Sequence, residues 1–136
     1  MDDASVSAGD LRVQDMGGFG DTWGGKAQLW WVGGRPGDRL EMPIEVAESG
    51  EYDLTLFVTR ARDYGIFRVL INGQPVGELV DGYADRVAHS GPIRMGRTLL
   101  EAGRNTLALE LVGKDVRSAG YGDGFLVGVD GFTFGR

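Results

Sequence analysis

Cysteine is absent from these 136 residues, and histidine occurs once. The first absence excludes disulfides and thiolate metal sites, so packing and hydrogen bonds alone must hold the fold. The second leaves no Ser-His-Asp or Cys-His set around His89, and a lone imidazole makes no metal cluster. Clustered Lys and Arg are missing too. The formal net charge is −6 and the pI near 4.7, with arginines spaced singly along apparent strands and loops. Neither nucleic acid nor an anionic membrane surface is an expected partner. No apolar run approaches the length of a membrane span, which argues against membrane insertion. "MDDASVSAGD" has neither the basic start nor the apolar centre of a signal peptide. Catalytic motifs are equally scarce. "GGFG" lacks the Lys-Ser/Thr ending of a phosphate loop, and "SGP" at Ser90 lacks the context of a nucleophile elbow.

Glycine, by contrast, is abundant: 24 residues, well over twice the usual share, with no period of three. The glycines punctuate short runs that alternate apolar and polar residues. "YDLTLFV" puts Tyr52, Leu54, Leu56 and Val58 on one side, and "RLEMPIEV" does the same with Leu40, Met42, Ile44 and Val46. "TLALELV" and "FRVLIN" follow suit, while no helical stripe exceeds two turns. "RPGD" reads as a type II turn, and "NG" at Asn72 and Gly73 as a hairpin turn, because both residues tolerate positive φ. About nine strands are predicted: 11–15, 26–32, 38–46, 51–61, 66–72, 75–80, 92–100, 104–112 and 125–134. Evenly spaced strands with glycine turns specify an all-β antiparallel sandwich, a jelly roll, in one domain over residues 1–136.

Successive connections in such a sandwich lie at alternate ends. One end collects the short turns 47–50, 73–74 and 101–103 together with the longer loop 16–25. The other collects "VGGRPGD", "RARDYG", "DGYADRVAHSG" and "GKDVRSAGYGDGF", which hold more polar and aromatic groups than turns require. Long loops on a rigid scaffold are where binding resides. Asp63 accepts hydroxyl hydrogen bonds and Tyr64 offers a flat ring, although the pair equally fits a turn in which Asp63 bonds its own backbone and Tyr64 lids the core. Asp81 and Tyr83 in "DGYAD" repeat the theme. Lys114 and Tyr121 stand in a loop made pliable by Gly120, Gly122 and Gly124. That loop's aspartates suggest calcium, but the spacing matches no EF-hand.

All three tryptophans fall within "WGGKAQLWW". Alternation sends one of Trp30 and Trp31 inward and the other outward, whereas Trp23, in a glycine-rich loop, can stack on a ligand or fold back as a plug.

The segments "WGGKAQLWW", "GDRLEMPIEVAESGEYDLTLFVTRARDYGIFRVLINGQPVG", "DGY", "AGRNTLALELVGKD" and "GVDGFTF" together resemble jelly-roll carbohydrate-binding modules of the galactose-binding-like superfamily. The likeness is to families 6 and 35, and to accessory domains of glycoside hydrolase 172-type proteins. The resemblance implies a non-catalytic module that binds an oligo- or polysaccharide, outside the cell or in the periplasm, beside a catalytic domain. Trp23 and Tyr64 would stack, Asp63, Asp81 and Lys114 would bond hydroxyls, and Tyr83 and Tyr121 would assist. Related modules often hold structural calcium. Asp130 matches the final-strand ligand, but "RVQD" replaces the first-strand Glu-x-Glu, so Asp15 would have to substitute and Asp130 equally fits a hydrogen-bonded structural role. A self-associating assembly module, and more remotely a small glycoside hydrolase or lyase, are the rival expectations.

Overall fold

The computed structural model describes residues 4–15 and 27–135. Eleven strands are present among them: β1 (Ser5–Val6), β2 (Asp10–Asp15), β3 (Ala27–Val32), β4 (Arg39–Val46), β5 (Gly50–Arg60), β6 (Ile66–Ile71), β7 (Gln74–Asp81), β8 (Ala88–His89), β9 (Ile93–Leu100), β10 (Gly103–Gly113) and β11 (Val127–Gly135). Nine coincide with the predicted strands to within two residues at each end. The additions, β1 and β8, are two residues long and exist only as partners of β4 and β5.

Two antiparallel sheets form the sandwich. One has the order β1-β4-β10-β6-β7, and the other β2-β3-β11-β5-β8, with β9 also pairing β5. Alternation places Leu40, Met42 and Ile44 of β4 and Leu107, Leu109 and Leu111 of β10 on the inner face of the first sheet. Leu54, Leu56 and Val58 of β5, with Val127 and Val129 of β11, face them from the second. Burial of these aliphatic side chains, each contributing roughly 1.5–3 kcal/mol, is the main stabilising term.

The tryptophan alternation resolves as expected. Trp31 is fully buried, its Nε1–H donating to the Ala8 carbonyl at 2.8 Å, while Trp30 faces the outer side of the second sheet. Gly34 makes room for it, since a Cβ there would lie 2.5 Å from the Trp31 ring. Asn72 (φ 49°) and Gly73 (φ 83°) take the left-handed conformations the hairpin turn requires.

The two ends of the sandwich differ as the connection count predicts. At one, Ala102 N–H donates to Ser49 Oγ (2.8 Å) and Asn72 Nδ2 to Asn105 Oδ1 (2.9 Å), lacing the short turns together. At the other, backbone bonds tie three long loops: Ala61 N–H to Gly82 O (3.0 Å), Gly82 N–H to Gly65 O (3.0 Å) and Ala119 N–H to Arg62 O (3.0 Å). Arg35 joins the fourth, with Nη2 2.8 Å from Asp123 Oδ2. The predicted loop 16–25 lies outside the described residues.

Candidate functional site

At the loop end, residues 61–65 and 81–91 border an open cleft of about 460 Å³, lined by Ala61, Arg62, Asp63, Asp85, Arg86 and Val87. That volume falls within the range of small-ligand sites, roughly 300–1,000 Å³. The loops meet closely because position 82 is glycine: a Cβ there would lie 2.7 Å from the Gly65 carbonyl oxygen. Asp63 is half-buried in this cleft. Desolvation pushes its carboxyl pKa up, opposed by its own backbone N–H and by the Arg62 guanidinium.

Tyr64 points the other way. It is 5% exposed, packed with Ala61 and Leu126 against Trp30 and Val32, so its ring cannot stack on a ligand. The lid reading of this residue is the correct one. The Tyr64 hydroxyl accepts from Gln28 Nε2 at 3.0 Å, and the same amide donates to Gln14 Oε1 at 2.6 Å while its oxygen accepts from Thr59. A network of buried side-chain amide, hydroxyl and phenol thus lies on the outer face of the second sheet. Gly128 permits it, since a Cβ there would sit 2.1 Å from Gln28 Oε1. Burial pushes the Tyr64 phenol up to about 12, with the Gln28 bond opposing.

Asp81 and Tyr83 stand on the loop that borders the cleft. Asp81 Oδ1 accepts from the Tyr83 backbone N–H (2.9 Å), a turn that fixes where the ring emerges. The ring is covered by Arg117, whose Cζ lies 4.4 Å from its centroid. Arg117 was not singled out from the sequence, yet it is firmly held. Its Nε and Nη2 donate to the two oxygens of Asp115 at 3.0 Å each, and its backbone N–H donates to Oδ1 at 2.9 Å. These bonds hold the Asp115 carboxyl down at about 2. The spacing "DVR" was the available signal, because an Asp two residues before an Arg in a loop can fork onto it.

Lys114 belongs to a different group. Its Nζ donates to the Asp123 carbonyl at 2.8 Å and lies 5.2 Å from the Phe125 ring centre, while Arg35 approaches the same ring at 5.6 Å. It therefore braces its own loop and is not in the cleft lining. Tyr121 opens the 3₁₀ turn Tyr121–Gly124, of which only the backbone is described at that residue. Trp23 lies outside the described residues.

Asp130 makes the kind of hydrogen bond that its structural reading expects. It occupies the bulge of β11, where the register against β5 shifts between Val129 and Gly131, and its Oδ2 lies 2.9 Å from His89 Nε2. His89, solitary in sequence, is a buried partner in space. Gly91 N–H donates to its Nδ1 at 2.9 Å, which assigns the proton to Nε2 and the hydrogen bond to Asp130. Calcium needs six to eight oxygens. Among the described residues Asp130 is paired with an imidazole, Gln14 is engaged with Gln28, and no group of three His, Asp or Glu is gathered. The side chain of Asp15, the other expected ligand, lies outside the described residues.

No family model and no curated protein matches the sequence. Solved structures do. A family 35 carbohydrate-binding module from Clostridium thermocellum superposes with a TM-score of 0.58 at 16% identity, over 98% of this chain and 92% of that one. The fold is that of the family 35 carbohydrate-binding modules. The fold is also matched inside longer chains. A Paenibacillus xanthan lyase aligns with a TM-score of 0.77 and 20% identity over 99% of this chain. The exo-β-1,3-galactanase of Phanerochaete chrysosporium aligns at 0.56 and 16% over 98%. This chain spans 12% of the lyase's length and 27% of the galactanase's.

Proposed function

We propose that this chain is a non-catalytic carbohydrate-binding module that takes an oligo- or polysaccharide at the loop end of its sandwich. The observation that carries this reading is the match, along 98% of this chain and 92% of the other, with a protein that is itself a carbohydrate-binding module. The cleft supports it chemically. Asp63 and Asp85 accept from hydroxyls, Arg62 and Arg86 donate to them, and Val87 offers an apolar edge to sugar C–H groups. Asp81 extends the polar contact along the same loop, with Tyr83 beside it under Arg117. The two longer chains with this fold carry names of glycan-degrading enzymes, which supports a catalytic neighbour and, with a polymeric substrate, an extracellular or periplasmic setting.

Isothermal titration against a panel of oligosaccharides tests the reading. Saturable heat with at least one glycan is expected, and replacement of Asp63 by Ala should weaken it about tenfold. Absence of any heat at millimolar glycan, from a sample with a sheet-type circular dichroism spectrum, sinks the proposal.

A further inference from the structure

We propose that Arg117 is a ligand-contacting residue at this rim, and that its free guanidinium edge selects a neutral sugar through two adjacent hydroxyls. The inference rests on the module reading and names the chemistry of that site. Three observations support it.

The first is pre-organisation. Arginine side chains carry about 2 kcal/mol of rotamer entropy, most of which a flexible surface arginine loses when it binds. Here that freedom is already restricted. Asp115 grips one edge through Nε and Nη2, and the Tyr83 ring supports one face at 4.4 Å, inside the roughly 6 Å limit of a cation–π contact.

The second is the inventory of donors. A guanidinium has five N–H groups. Two are spent on Asp115, and the side chain is 66% exposed, so the edge formed by Nη1 and the second hydrogen of Nη2 is left for a ligand. Adjacent hydroxyls in gauche relation on a pyranose ring place two oxygens side by side and suit such a fork. The occupied Tyr83 face explains the division of labour: the aromatic supports the guanidinium from beneath, and the guanidinium meets the ligand.

The third decides between neutral and acidic sugars. A bidentate arginine is the usual receptor for a carboxylate. At this rim, however, Asp81 and Asp115 outnumber Arg117, and in the cleft Arg62 and Arg86 are matched by Asp63 and Asp85. With no excess of positive charge, a uronate gains little attraction and meets nearby carboxylates, whereas a diol needs no counter-charge. Ala119 N–H to Arg62 O and Ala61 N–H to Gly82 O hold the Arg117 loop and the Tyr83 loop to the cleft loop 61–65, so one oligosaccharide can span the cleft and the fork.

The test is titration of the whole chain with neutral trisaccharides of gluco, galacto and manno configuration, and with trigalacturonate, for wild type, R117A and R117K. The lysine keeps the charge and the contact with Tyr83 but lacks the fork. Binding of a neutral trisaccharide that falls about tenfold or more in both variants, with unchanged melting temperatures, supports the proposal. Neutral binding that both variants preserve overturns it and leaves the module reading standing. Preference for trigalacturonate, weakening with added salt, also overturns it. No binding by any of the four sugars overturns this inference, and the wider oligosaccharide panel then decides the module reading.

Discussion

Tyr64 has a titration consequence. Its phenol is held at about 12 against an ordinary 10 because burial penalises the anion, so the native state keeps a proton that the unfolded chain releases. The stability linked to this residue is complete below pH 10 and is lost as pH rises toward 12, by about 3 kcal/mol in all. Urea unfolding at pH 9 to 12 should show that loss in wild type and a shallower one in Y64F; equal slopes would mean the ring is not buried as described. This residue also marks the limit of sequence reading. Period-two alternation sorts inside from outside only along a strand, and "ARDYG" is a loop, so its tyrosine could face either way. Gln28 and Thr59, which hold that region from beneath, are polar residues at outward positions and carried no signal of burial.

Among the elements, the long strands were legible because each alternates over six or more residues against a buried partner. β1 and β8 were not, since two residues display no period and their pairing is decided by β4 and β5. The β11 bulge was hidden for a related reason: an inserted residue is defined by the partner's register, and "GVDGF" alone does not show that Asp130 is turned toward β8. That bulge joins two elements through one hydrogen bond. In H89A Oδ2 of Asp130 would lose its imidazole partner, beside a buried Oδ1 that already has none among the described residues. A loss of about 2–3 kcal/mol in chemical denaturation is expected. A loss below 0.5 kcal/mol would show that water replaces the imidazole at no cost. The same pairing engages with an imidazole the carboxylate at which family likeness suggested calcium.

For the whole molecule, the division into a laced short-turn end and a long-loop end was readable by counting connections, because sandwich strands alternate direction. Which side chains converge was not, since Arg117 meets Tyr83 across more than thirty residues of chain. The division predicts separable effects. G73A, at φ 83° with nothing within 4 Å of the added Cβ, should cost about 1 kcal/mol through backbone strain alone and leave glycan affinity unchanged. The double variant D85A/R86A, at exposed cleft positions, should change stability by less than about 0.5 kcal/mol and weaken glycan binding severalfold. Calorimetry and titration of both proteins check the pattern, and the reverse result would move binding away from the loop end.

Because β5 and β10 each run 11 residues, the hairpin tip at Asn72 and Gly73 stands roughly 30 Å from the opposite rim. A thiol introduced at exposed Gln74 would be the single one in a cysteine-free chain. Coupled there to a sensor chip or a dye, every molecule would be oriented alike, its loop rim turned to the solution.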